Sequence, residues 1–439
     1  MTTSVDPSAA YPSAGKAWWA VALLCVAAII SYSDRQVMSL VVDPIRHDLG
    51  ISDVQIGLLI GTAFAAIYGV AGIPLGYLAD RTSRRNLIAV GMIVWSAATI
   101  YCGFAHSFRE MFGARVLVGL GEAILSPAAV SLISDLFPPQ RRGAALGAYF
   151  TGVSIGIGSA VVIGGALLHG IDAGLVAGTR LGQLPPWRAV LVLIGMPGLV
   201  WSALMATFRE PPRHTREIGP SLQSARAAPQ TDWWRPFPMF AVVAMAAFVD
   251  NAIAAWSPAL LIRNFHLDPG HIGVTLGLVF MIGGAVGMMT GGLLSDRAQR
   301  RFGWSGRVYV CLAASLLVMP TLLPLISTDV TMISTSILAV FFASAWITSS
   351  GLAAILDWVP NRRRGLATSI SFFFNVAVGL GVGPAAVALT ARYFADPAKS
   401  LAPSMLLVTA AGYVIAASGA VAALYLVRRQ SNVAARGVA

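Results

Sequence analysis

The chain has 439 residues, is 56% hydrophobic and only 11% charged, and carries a formal net charge of +11. Soluble domains carry about 25% charged residues, so a set of ordinary globular domains is excluded. The positive balance does not imply nucleic acid, because it follows the apolar runs rather than forming a patch.

Those runs recur at about 20 residues or more, enough for a helix to cross a hydrocarbon core of about 30 Å. With no water in the bilayer to satisfy the backbone, spans must be helices or a closed barrel. Continuous apolar runs, rather than period-two alternation, select helices. The sequence predicts twelve spans in order: 17–42, 54–79, 86–105, 108–134, 143–168, 188–208, 237–262, 271–295, 307–326, 331–356, 365–391 and 402–427.

Span 1 follows a polar segment with one lysine and contains "SYSDRQVMSLVV", which argues against a cleaved signal peptide. Asp34 and Arg35 lie well inside it. A charge at the centre of a membrane helix costs about 2.5–3.5 kcal/mol on insertion scales. Adjacent helical residues point about 100° apart, so these two cannot simply neutralise each other, and each requires a partner on another helix. Span 4 carries Glu122 near its middle, with Arg115 two turns earlier on the same face. Span 7 carries Asp250 beside Asn251, while spans 3, 6, 9 and 12 have no charge away from their ends. Intramembrane ionisable residues mark ion or substrate paths by default. Asp34 and Glu122 are therefore candidate proton-titrating carboxylates competing for Arg35. Arg35, Arg115 and Asp250 are candidate substrate contacts or charge partners.

The other candidate wall residues are apolar, aromatic or amide: Tyr32, Phe64, Tyr68, Tyr149, Asn251, Trp256, Phe373, Phe374 and Asn375. One charged wall and one apolar wall suit an amphiphile. Gly152, Gly156, Gly158, Gly164 and Gly165 of span 5 are expected to allow close helix contact.

Of 30 lysines and arginines, 21 lie in the tails and even-numbered loops, 7 in odd-numbered loops, and only Arg35 and Arg115 inside spans. The positive-inside rule then places both termini in the cytoplasm. Seven tryptophans (residues 18, 19, 187, 233, 234, 304 and 358) lie near predicted span ends, where the amphipathic ring suits lipid headgroups. Cys25, Cys102 and Cys311 are far apart, the six histidines lie outside mid-span, and no glycosylation sequon occurs. No disulfide, metal site or cofactor is expected. Arginine outnumbers lysine by 28 to 2, a bias that together with the short loops suggests a bacterial inner membrane. "GVSIG" at 152–156 matches a hydrolase elbow in letters alone, since it lies in a membrane helix without a strand before it.

The apolar pattern stops over 209–235, a Pro- and charge-rich stretch read as a cytoplasmic linker between halves 1–208 and 236–439. The halves repeat. "GYLADRTSRR" (Gly76, Asp80, Arg81, Arg84, Arg85) returns 216 residues later as "GLLSDRAQRR" (Gly292, Asp296, Arg297, Arg300, Arg301). "DLFPPQRRG" (Asp135, Arg141, Arg142) returns 222 residues later as "DWVPNRRRG" (Asp357, with Arg362, Arg363 and Arg364). Two such pairs in register make an internal repeat, a known build for transporters.

These motifs and the six-plus-six layout resemble the major facilitator superfamily over essentially the whole chain. Within it, "SDRQVMSLVVDPIRHDLGISDVQIGLLIGTAFAAIYGVAGIPLGYLADR" and "RVLVGLGEAILSPAAVSLISDLFPPQRRG" are similar to the spinster-like branch. The resemblance implies an all-α fold of twelve transmembrane helices in two pseudo-symmetric six-helix bundles, with spans 1, 4, 7 and 10 around a central cavity. It implies that Gly76, Asp80, Arg81, Arg85, Asp135, Arg142, Asp296, Arg297, Asp357 and Arg364 latch the halves at a cytoplasmic gate. It also implies a lysophospholipid or sphingolipid substrate, with a small organic anion held by Arg35 or Arg115 as the alternative. The expected activity is secondary active transport by alternating access, driven by protons, by a monomer among membrane lipids. No enzyme constellation is visible.

Overall fold

The computed structural model describes residues 11–212, 237–359, 364–394, 396 and 399–436. Within its helices Gly76 and the side chains of Asp80, Arg142 and Arg364 lie outside that description, as does the linker from residue 213. Among the described residues there is no strand, and twelve helices are long and apolar enough to cross a membrane. They are Ala14–Leu40, Asp53–Gly72, Arg84–Cys102, Phe108–Leu136, Ile155–Asp172, Pro186–Thr207, Phe237–Phe265, Pro269–Phe302, Trp304–Ile326, Val330–Trp358, Ala367–Ala391 and Leu401–Leu426. Each overlaps its predicted span.

The helix ends have local causes. Ser52 and Gln55 form a capping box that starts span 2. Asp268 accepts from the backbone N–H groups of Gly270 and His271 ahead of span 8, with Pro269 at the first helical position. A short helix after span 1, Val42–Leu49, stops at Gly50, whose φ of 63° is left-handed.

Besides spans 6 and 9, which end in 3₁₀ turns at Met205–Thr207 and Pro320–Ile326, three spans are not continuous α-helix. Span 4 breaks between Glu122 and Leu125, where Pro127 has no N–H for the carbonyl four residues back. Span 2 contains a π-turn, Leu58–Thr62, and span 11 another, Asn375–Leu380, ahead of Pro384. The two π-turns face each other: Thr62 donates to the Gly381 carbonyl at 2.7 Å, and a Cβ on Gly61 would lie 2.4 Å from the Leu380 carbonyl oxygen.

The first six spans therefore meet the last six at the end that carries the odd-numbered loops. Arg263, at the end of span 7, grips Asp43 at 2.6 Å, in the short helix after span 1, and Asp53 at 2.9 Å, at the start of span 2. His169 of span 5 meets Asp268 at 3.3 Å. Span 5 uses its glycines on two faces: Gly152, Gly156 and Gly164 pack on span 1, whereas Gly158 and Gly165 lie against span 8. Towards the even-loop end, spans 2 and 11 part around an apolar crevice of about 240 Å³.

Each half ties the end of its fourth span to an arginine in the first turn of its third, though from different positions of the repeat. Arg84, in the first turn of span 3, pairs with Asp135 at the end of span 4. Arg307, in the first turn of span 9, pairs with Asp357 at the end of span 10 at 2.8 Å.

Candidate functional site

Ser31 and Arg35 are four residues apart on span 1 and so share a face. Both reach Glu122, the last helical residue before the break in span 4. Arg35 Nη2 lies 2.6 Å from Glu122 Oε2, and Ser31 Oγ donates to the same oxygen at 2.7 Å. The guanidinium is boxed by rings, 4.3 Å from Phe64, 4.8 Å from Tyr32 and 5.6 Å from Tyr68. Such cation–π contacts are worth about 0.5–2 kcal/mol each, more when desolvated. Arg35 retains 14% side-chain exposure, while Glu122 has none. The pair is incompletely satisfied: Glu122 Oε1 and Arg35 Nε are buried without hydrogen-bond partners. A buried ion pair with bonds left unmade contributes little to stability. It is well suited to exchange.

Asp34 points elsewhere. It is fully buried, neither oxygen has a hydrogen-bond partner, and it faces Thr99 of span 3 with Arg115 and Glu122 of span 4. Arg115 donates through Nε to the Leu59 carbonyl at 3.4 Å, inside the π-turn of span 2, and leaves Nη2 unpartnered. Its guanidinium lies 5.7 Å from the Phe64 ring, so that ring stands against both cations. Tyr149 of span 5 faces Ser126 of span 4, with Tyr32 and Tyr68 nearby. The structure thus gathers Tyr32, Asp34, Arg35, Phe64, Tyr68, Arg115, Glu122 and Tyr149 within the first six spans.

Several expectations change. Asp34 and Glu122 do not share Arg35, because Glu122 takes its hydrogen bond and Asp34 is turned towards Arg115. Trp256 is no cavity wall; it is fully buried and donates to the Pro384 carbonyl at 2.9 Å. Asn251 spends its amide on the Ala247 carbonyl of its own helix at 2.8 Å. Asp250 does not join the Arg35 group and faces Ser344 of span 10. Phe373 is 45% exposed and lines the crevice between spans 2 and 11, against Gly69. Asn375 is half-buried at the start of the π-turn.

At the even-loop end, the described partners of the repeated acids lie within their own halves. Asp135 is held by Arg84, and Asp296 and Asp357 both by Arg307. Arg85 donates to the Phe208 carbonyl at 3.0 Å, and Arg81 and Arg297 lie at the same end. Glu210 accepts from Ser83 Oγ at 2.5 Å and from the Arg84 backbone and side chain at 3.0 and 2.9 Å. Burial acts to raise the Glu210 carboxyl, and the Ser83 and Arg84 hydrogen bonds outweigh it, holding it below its ordinary value.

Sequence reasoning missed Ser31, whose spacing from Arg35 was the available signal, and Thr99, which gave none. It also read Arg263 as a loop charge rather than as a tie between the halves.

The Major Facilitator Superfamily model matches residues 24–340. The chain belongs to this superfamily. It is 30% identical over 413 residues to an MFS-type efflux pump of Mycolicibacterium smegmatis, covering 92% of this chain and 91% of that one. It is 29% identical over 317 residues to protein spinster of Drosophila melanogaster, covering 68% of this chain but half of that longer protein. It is also similar to a probable L-galactonate transporter of Escherichia coli, at 28% over 295 residues, covering 63% of this chain and 61% of that one. Among solved structures, a bacterial homologue of the human lysosomal transporter Spinster, crystallised inward-facing and unoccupied, superposes with a TM-score of 0.82 at 26% identity. That match covers 95% of this chain and 98% of the other. The protein is a spinster-like major facilitator transporter with the twelve-helix fold of that superfamily.

Proposed function

We propose that this major facilitator protein is a proton-coupled transporter of an amphiphile with an anionic head, such as a lysophospholipid or a phosphorylated sphingolipid. The observation that carries this reading is the double use of span 2. Phe64 and Tyr68 turn to the Arg35 guanidinium, while Ala65, Ala66, Gly69 and Val70 line the apolar crevice completed by Phe373, Ala377 and Val382 of span 11. A head group at Arg35 would leave its tail in that crevice.

The chemistry follows from competition. A phosphate offers Arg35 a bidentate partner, so binding draws the guanidinium off Glu122. A buried carboxylate without its cation is costly, and binding a proton relieves it. Loading of substrate and of a proton then accompany each other. Asp34, held near Arg115 behind the pocket, provides a second acid on the same path.

Alternating access would arise by rocking the halves about this site. With the even-loop end in the cytoplasm, as the arginine bias indicates, the Arg263 clasp and the span 5–span 8 glycine contacts close the outer end. The conformation is then inward-facing, in a bacterial inner membrane, and the repeated acid–arginine groups would exchange their ties within each half for ties between halves when the inner end closes.

A binding screen on the purified protein tests the substrate class. Lysophosphatidylglycerol is expected to bind at least tenfold more tightly than a short sugar acid such as galactonate. The reverse order would replace the amphiphile by a small organic anion held on Arg35.

A further inference from the structure

Asp250 lies on the face of span 7 that packs against span 10. Two turns earlier, Val243 fills the space over Gly351, and Asp250 faces Ser344, as antiparallel helices require. The residue is half-buried, and its Oδ1 is buried without a hydrogen-bond partner. Spans 1, 8, 11 and 12 also pack on span 7. Among the described residues none of them presents a charged side chain to Asp250, and Tyr413 of span 12 is its titratable neighbour.

The network has two donor arrangements, one suited to each form of the acid. The Tyr413 hydroxyl donates to the Val340 carbonyl at 3.0 Å. Ser344 Oγ is 2.9 Å from the Tyr413 oxygen, and either can donate; with the Tyr413 proton on Val340, the single Ser344 proton goes to Tyr413, and with it on Ser344, the Ser344 proton is left for Asp250. In the first arrangement Ser344 has no proton for the acid and offers it only lone pairs. A neutral carboxyl completes this chain by donating its O–H; a carboxylate would oppose lone pairs to lone pairs with no cation to offset the burial.

We propose that Asp250 is a second proton-binding site, separate from Asp34 and Glu122, whose protonated form is held by the chain Ser344–Tyr413–Val340. A proton from water on the exposed side of the carboxyl adds to the carboxylate. On its loss, Ser344 turns to donate to Asp250, and the Tyr413 proton turns from Val340 to Ser344. Each half of the protein would then carry its own acid, Asp250 in the second and Asp34 with Glu122 in the first. Only its use in transport rests on the proton-coupled reading; its existence does not.

Infrared difference spectroscopy of the purified full chain, read at the carbonyl stretch of a protonated carboxylic acid, tests this without substrate. A band that disappears on alkalinisation is expected in the wild type and in an Asp34→Asn, Glu122→Gln double variant. It should be lost in Asp250→Asn and shifted in Tyr413→Phe, which removes one hydroxyl from the chain. A band unchanged in both Asp250→Asn and Tyr413→Phe, or absent once Asp34 and Glu122 are replaced, would overturn the proposal. Gradient-driven transport, measured separately, reports on the proton-coupled reading alone.

Discussion

Arg35→Ala should bind an anionic lysophospholipid at least about 30-fold more weakly than the wild type, because removing one partner of a buried charge contact costs about 2–5 kcal/mol. Arg35 is the cation in the aromatic box: it pairs with Glu122 and keeps 14% of its side chain exposed. The substitution also leaves Glu122 buried without its hydrogen-bonded cation, a loss of about 3–5 kcal/mol if it stayed charged, so it should become neutral and keep its bond from Ser31. Arg35→Lys should recover part of the affinity, since it restores the charge but not the planar fork. Titration calorimetry with lysophosphatidylglycerol measures both. Unchanged affinity in Arg35→Ala would remove Arg35 from the substrate site.

The second large effect concerns the closed end. A Cβ on Gly158 would lie 2.5 Å from the Gly277 carbonyl oxygen and 2.7 Å from the Met281 Cβ. The nearest of these is backbone, so neither can yield by a simple rotamer change. Gly158→Ala is therefore expected to destabilise the closed odd-loop end by about 1–3 kcal/mol, shifting the ratio of closed to open forms by about 5- to 150-fold. Spin labels at the exposed Leu175 and Val274 should move apart relative to wild type. An unchanged distance distribution would mean that this contact does not hold the halves together.

The limits of the sequence lie where packing chooses partners. Spans were legible because twenty apolar residues admit one interpretation in lipid, and most predicted ends lie within a few residues of the observed ones. Asp34 and Arg35 could be recognised as unable to pair because helical geometry alone separates them. Which helix would answer each was not legible: that Glu122 faces Arg35 and Arg115 faces Asp34 depends on the rotation of spans 1 and 4 in the bundle. The break after Glu122 had a visible cause in Pro127. The π-turns in spans 2 and 11 had none, because an inserted residue leaves hydropathy unchanged. The aromatic list was partly misleading for the same reason: Phe64 and Trp256 are both fully buried, yet one supports a cation in the site and the other braces a proline kink. The repeated motifs gave the symmetry but not the ties. Asp135 takes Arg84 from within its motif, whereas Asp357 takes Arg307, which lies beyond the repeated arginines.

The exchange of Arg35 between Glu122 and an anionic head group is tested most directly by counting protons on binding. Purified protein in weakly buffered detergent solution is mixed with lysophosphatidylglycerol while a pH dye records uptake. Proton uptake that saturates with binding in the wild type, and is lost in Glu122→Gln although that variant still binds, is the predicted result. Binding without proton uptake in the wild type, or undiminished uptake in Glu122→Gln, would contradict it.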